Sequence, residues 1–300
     1  MSLSMKTIRE IGGSKCANNL ESGFQKLRLQ LQSPTKSRQL LQRLQSCKSF
    51  NANNEMDRAA FFNSLGNYFA VLVQSYSKWV GTFCKNFLKM TEDPGEALIQ
   101  HIEEIFLPNP QEEEEDKLHG DEWCLDLSYE AMASIYSEYA DIYSGTRCWF
   151  YQTCHEFGWF ATTKASGNAS SHLSFAGQVP LKFFQNLCHD VFHSASNGDG
   201  SRVGGSDLGL FSPLLNELHI SAKKINHIFG GFANVSQRVI FTQGLLDPWR
   251  AVGVHRGQNV LLLKGYSHVE DLGSINLKDT VEMNVAKLKV AAFINKALRN

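Results

Sequence analysis

Residues 240–249 read IFTQGLLDPW, and the fold turns on how this stretch is understood. An apolar run stops at Gly244, and Asp247 follows three residues later beside Pro248 and Trp249. Proline fixes its own φ, so the Asp is held at a rigid point. An acidic residue at the end of a buried strand serves either as a turn or cap residue or as part of a site.

The surrounding pattern favours a strand end. RVIFTQ (238–243) and NVLLLKG (259–265) read as two short strands. Between and after them lie loops, and an amphipathic helix closes the chain, with Val281, Val285, Leu288 and Ala292 on one face. Strand, loop, strand, loop, helix is the ending of an open α/β sheet, whose ligands lie at the carboxyl ends of its strands. Asp247 follows the first strand, and Gly265-Tyr-Ser-His268 follows the second.

Upstream the texture is helical. GFQKLRLQL, SRQLLQRLQS, AAFFNSLGNYFAVLVQSYSKW and GEALIQHIEEIF place apolar residues three and four apart. PNPQEEEEDKLHGDE (108–122) then combines prolines with an acid run, the mark of a solvated loop and a domain edge. Further helical patterns follow in LSYEAMASIYSEYADIY, PLKFFQNLCHDVF and SPLLNELHISAKKINHIFGG, separated by Gly/Ser-rich loops.

Composition narrows the function. The 300 residues are 43% hydrophobic and 20% charged, which supports a packed core and argues against global disorder. A net charge of -1 gives no basis for nucleic-acid binding. No apolar stretch reaches the length of a membrane span, and the N-terminus lacks the apolar core of a secretory signal. Seven cysteines without a CxxC pair speak against zinc ribbons and thioredoxin chemistry, and fit buried thiols or long-range disulfides. Sequons at Asn168 and Asn234 lean towards a secretory history. That history conflicts with the absent signal, and a chain that has lost its natural N-terminus resolves the conflict.

Asp247 and His268 stand in the order Asp then His after consecutive strands, as in the Ser…Asp…His order of α/β-hydrolases. In that chemistry the His takes a proton from a Ser hydroxyl, and the Asp fixes the tautomer through the other ring nitrogen. A triad also needs a nucleophile elbow, G-x-S-x-G. Gly12-Gly13-Ser14-Lys15-Cys16 and Gly204-Gly205-Ser206-Asp207-Leu208 both fail at the last position, and no Ser in the chain satisfies the pattern.

Four segments together resemble one family, the serine peptidases that include lysosomal Pro-X carboxypeptidase, dipeptidyl peptidase II and thymus-specific serine protease. They are Trp149-Phe-Tyr-Gln-Thr-Cys154-His-Glu-Phe-Gly158, Ile225-Asn-His-Ile-Phe-Gly-Gly231, RVIFTQGLLDPW and GYSHVEDL. The resemblance runs from about Cys16 to the C-terminus. Gln243 stands where the family has Asn, and His155 where it has Ser or Thr.

The resemblance implies an α/β fold, the C-terminal half of an α/β-hydrolase sheet with an inserted helical cap domain. Residues 1–115 would be the cap, and 116–300 the C-terminal part of the hydrolase domain. Asp247 and His268 would be the triad acid and base, with Trp249 and, less directly, Trp159 in the substrate pocket. The pairings Cys16–Cys84, Cys47–Cys124 and Cys154–Cys188 would match the family, leaving Cys148 over. No cofactor is implied. The partners would be peptide substrates, with no nucleic acid and no membrane, and the open edge of a half sheet admits a homodimer. A full-length member would be lysosomal, vesicular or secreted.

The segment that would carry the first strands and the nucleophile is not among these residues, so the expectation is a truncated exopeptidase chain, inactive by itself. An alternative is a non-catalytic relative acting as a binding or assembly module. A third reading is a zinc enzyme built on His189-Asp-Val-Phe-His193 with Cys188 adjacent. It is the weakest of the three, because the short Asp would reach a metal-bound water poorly and no third ligand is evident.

Overall fold

A computed structural model describes residues 2–108, 123–137, 145–163, 178–192, 222–231, 237–257 and 259–299. Its helices are α1 (Ser2–Gly12), α2 (Ser14–Gln32), α3 (Pro34–Arg43), α4 (Glu55–Ser75), α5 (Val80–Met90), α6 (Pro94–Phe106), α7 (Tyr129–Ser137), α8 (Thr146–Gln152) and α9 (Leu181–Phe192). Residues 222–229 form α10, and Val281–Arg299 form α11. The chain is thus mainly helical, with a small parallel sheet of β1 (Phe241–Gly244) and β2 (Val260–Leu263). Packing groups it into two compact units. One holds Met1–Ala17, Asn67–Cys84 and Asn226–Asn300, and the other holds Asn18–Gly66 and Lys85–Ile225. The first 17 residues thus group with the two strands.

The larger unit is a helical assembly with an aliphatic and aromatic core. Leu20, Phe24, Leu27 and Leu31 recur along one face of α2 and are almost wholly buried. Phe61, Phe62, Phe87, Leu98 and Ile102 join that core. Helix α6 begins as its sequence dictates. Pro94 occupies the first turn, and the Asp93 carboxylate accepts from the N–H groups of Gly95 (2.8 Å) and Glu96 (2.9 Å). Arg43 bridges Glu96 and Glu103 across two helices, and these partners hold its guanidinium well above the usual range. Disulfides Cys47–Cys124 and Cys154–Cys188 lie within this unit.

The smaller unit carries the sheet. The strands run parallel with Phe241 opposite Val260 and Gly244 opposite Leu263. Parallel neighbours cannot be joined by a tight hairpin, and residues 245–259 carry the crossover, including a 3-10 turn at Pro248–Val252. The strands are shorter than the apolar runs that encode them, because the ladder exists only where the two segments face each other. Leu263 packs with Met283, Ala286 and the half-buried Tyr266.

That contact shows which side of the closing helix is buried. Met283, Ala286 and Lys287 are its buried residues, whereas Val281 and Leu288 are 82% and 58% exposed. The helix has apolar residues on two sides, so hydrophobic spacing alone does not choose between them. The Lys287 ammonium decides the matter locally. It donates to Asp279 (2.8 Å) and to the Ser274 carbonyl (3.0 Å), while its stem is buried.

The Gly12–Cys16 stretch is a joint between helices. Gly12 ends α1, Gly13 turns with φ +85°, and the exposed Ser14 opens α2. A Cβ on Gly12 would lie 2.1 Å from Cys84 Sγ, so glycine there makes room for the Cys16–Cys84 disulfide. All three disulfides are the pairs the family resemblance implies, and Cys148 is a free, exposed thiol. No described helix is long and apolar enough to cross a membrane.

The Cys16–Cys84 bridge closes a 68-residue separation. Replacing both cysteines by Ser should lower unfolding stability by about 2–4 kcal/mol. Urea melts of the oxidised wild type and the double variant measure the difference, and reduction of both proteins, which opens the other two disulfides as well, should bring them together.

Candidate active site

The end of β1 continues as a set of backbone contacts to the segment that follows β2. Leu245 N–H donates to the Leu263 carbonyl (2.9 Å), and Leu246 N–H donates to the Tyr266 carbonyl (2.9 Å). Gly244 permits this approach. A Cβ there would stand 2.2 Å from the Ser267 carbonyl oxygen and 2.6 Å from that of Tyr266. The Thr7 hydroxyl, from α1, donates to the Leu246 carbonyl (3.1 Å) in a buried contact.

Asp247 then divides its carboxylate. Oδ1 accepts the Trp249 N–H (2.9 Å) and so caps the 3-10 turn that begins at Pro248. Oδ2 faces His268 Nδ1 at 2.7 Å. One side chain thus caps the turn with one oxygen and meets the imidazole with the other. The Asp side chain is 12% exposed and the His side chain 33%, so an inward acid meets an imidazole that reaches solvent. An imidazole whose Nδ1 is engaged by a carboxylate presents Nε2 for proton transfer.

The His268 loop is held from several directions. Gly265 turns with φ +79°, and Val269, just after the histidine, has φ +49°. A β-branched residue in that region is strained, and the surrounding contacts hold it. Ser267 N–H donates to Glu270 Oε1 (2.8 Å), and Glu270 pairs with Lys78 (3.3 Å). The Ser267 hydroxyl donates to the Val73 carbonyl (2.8 Å) and is buried, which spends it on structure.

A cavity of about 230 Å³ opens at the pair. Asp247, His268, Trp249, Gln243, Arg250 and Leu272 are among its lining residues. It thus brings together three of the four site residues expected from sequence. Trp159 lies in the helical unit, 40% exposed and stacked on Phe157 with centroids 4.7 Å apart, and does not line this cavity. Gln243, the departure from the family's Asn, donates from Nε2 to the Val254 carbonyl (2.8 Å). It lies over Gly253, where a Cβ would fall 2.1 Å from that nitrogen. The Arg250 guanidinium donates to the Leu245 carbonyl.

The alternative metal reading loses a donor, because Cys188 is bonded to Cys154 and offers no thiolate. His189 Nδ1 lies 3.1 Å from Asp190 Oδ1, and His193 falls outside the described residues. Among the described residues no cluster of three or more His, Cys, Asp or Glu side chains is arranged to hold a metal ion. Asn168 and Asn234 are also outside the described residues.

Two residues that serve the site carry no sequence signal of their own. Gln74 and Val73 sit in a helical run and reach His268 and its neighbours only through the tertiary fold.

The sequence profile of the family described as Serine carboxypeptidase S28 matches residues 2–204 and 208–290. A putative serine protease of Caenorhabditis elegans is 20% identical over 299 residues, covering 94% of this chain and 53% of that protein. A second putative serine protease of that organism is 28% identical over 136 residues, covering 43% of this chain and 21% of its own length. The thymus-specific serine protease of Mus musculus is 24% identical over 160 residues, covering 52% of this chain and 27% of that protein. The chain spans about half the length of the first relative and less of the others.

Gly244→Ala would force a methyl group into the Ser267 carbonyl. The expected outcome is a loss of roughly 1–3 kcal/mol in a denaturant melt, with the hydrogen-bonded Nδ1 proton of His268 gone from the NMR spectrum. A variant with unchanged stability and an unchanged proton signal would show that the loop yields freely.

Proposed function

Since the chain belongs to the Serine carboxypeptidase S28 family, we propose that it carries the acid and the base of a serine-peptidase triad, with the nucleophilic Ser supplied by sequence outside these 300 residues. The observation that carries the proposal is the 2.7 Å contact between His268 Nδ1 and Asp247 Oδ2, at the carboxyl ends of adjacent parallel strands.

The chemistry follows from the geometry. Asp247 holds the ring with Nδ1 protonated, which leaves Nε2 as the base. Nε2 takes the proton of an incoming Ser hydroxyl as its oxygen attacks the peptide carbonyl. The imidazolium that forms lies against the Asp247 carboxylate, which stabilises the charge without taking the proton. Nε2 then returns the proton to the leaving amine. Without a Ser positioned at Nε2, the pair has nothing to activate, and the 300-residue chain is inactive by itself.

The substrate would be a short peptide cleaved near one end, after Pro or a small apolar residue. Trp249 supplies an apolar ring to the cavity beside the pair, in keeping with that preference. Three disulfides support an oxidising compartment, and the chain would work in a lysosome-like vesicle or outside the cell, with Asn168 and Asn234 glycosylated.

The test is turnover of a proline-containing fluorogenic dipeptide by the 300-residue chain and by a version extended upstream. The extended protein should cleave it, and His268→Ala in that protein should lower kcat by roughly 10⁴-fold or more. Turnover by the 300-residue chain that survives His268→Ala would sink the proposal. An inert extended protein would instead make this a non-catalytic relative that serves as a binding or assembly module.

A further inference from the structure

The loops that carry the pair share an anchor outside the sheet. Helix α4 ends at Ser75. The last four carbonyls of an α-helix have no donor within the helix and take one from elsewhere. Val73 takes the Ser267 hydroxyl at 2.8 Å, and Gln74 takes the His268 N–H at 3.2 Å. The side chain of Gln74 makes a separate contact. Its Oε1 accepts the indole N–H of Trp249 at 2.8 Å. An indole nitrogen only donates, so the amide must present its oxygen there, and the orientation of Gln74 is settled by chemistry.

One residue therefore holds the cavity wall by its side chain and the histidine by its backbone. The wall and the histidine come from segments 19 residues apart in sequence, His268 against Trp249. Each also contacts Asp247, Trp249 through its backbone N–H and His268 through its ring. The result is a closed circuit of four residues: Gln74, Trp249, Asp247 and His268. In such a circuit, release of one link loosens the others.

We propose that Gln74 is a positioning residue that couples the Trp249 wall to the alignment of His268. The proposal rests on reading Asp247 and His268 as a catalytic pair. Gln74 does not touch the reacting atoms. It sets the distance at which the indole stands from the imidazole, so that a substrate side chain resting on Trp249 meets a histidine already fixed in place.

The coupling is readable in the 300-residue chain without catalysis. The probes are the indole N–H resonance of Trp249, assigned by its loss in Trp249→Phe, and the amide exchange rate and Nδ1 proton of His268. Gln74→Leu keeps the backbone carbonyl and removes the side-chain acceptor. It should move the indole resonance, speed exchange of the His268 amide by about fivefold, and broaden the Nδ1 proton. Gln74→Glu keeps an acceptor at the same place and should restore the His268 amide rate to near the wild-type value.

Should Gln74→Leu not fold, Trp249→Phe cuts the same bond from its other end and should speed the His268 amide alike. An indole resonance that moves while the His268 signals stay unchanged overturns the proposal, as does failure of Gln74→Glu to restore the rate. A wild-type chain with no hydrogen-bonded Nδ1 proton at His268 overturns the pairing with Asp247 itself, and the proposal falls with it.

Discussion

The Asp247 carboxylate serves two partners, and most of the local structure follows from the need to satisfy both. Oδ1 caps the turn that starts at Pro248, and Oδ2 receives the ring of His268. A carboxylate this enclosed is stable only when its oxygens are engaged. The turn must therefore close on one side while the histidine loop arrives on the other. Gly244 lets that loop approach, because any side chain at this point would collide with the Ser267 carbonyl. The strained φ of Val269 is a consequence of the same arrangement, since the loop has to present His268 and then turn away at once.

Among the described residues the sheet that supports this pair has two strands. Two parallel strands with a short ladder are a weak unit in isolation, and parallel strands are ordinarily covered on both faces. Here Leu262 of β2 is 43% exposed, and α11 shows Val281, Leu288 and Leu298 to solvent while Met283 and Ala286 pack on Leu263. The unit compensates through covalent and polar ties. The Cys16–Cys84 disulfide lies within it, the Thr7 hydroxyl holds Leu246, and Lys287 holds the loop before α11.

Much of this was legible in the residues. The apolar run into Gly244, the Asp–Pro–Trp that follows and the Gly-Tyr-Ser-His after the next run mark the two strand ends, because strand composition and turn chemistry are local properties. The helices of the first third were legible for the same reason. The disulfide partners and the family followed from resemblance rather than from spacing. The orientation of α11 was not legible, since Val281, Val285, Leu288 and Ala292 make as good an apolar face as Met283 and Ala286 do. Nor was the grouping of α1 and the end of α4 with the strands, which depends on contacts such as Thr7 to Leu246 between residues far apart in sequence.

By itself, the sequence determined the chemistry available at the strand ends: an Asp held by Pro248, a His on a glycine-opened loop and a Trp beside them. The types and order of these residues are written in the chain, and so is the absence of a G-x-S-x-G serine. Only the tertiary structure decided that one Asp oxygen caps a turn while the other meets the imidazole, and that Gln74 accepts from both the indole and the histidine backbone. Hydrogen-bond partners of this kind are selected by distance and direction in space. Segments separated by up to 239 residues come within bonding range only after the core has packed.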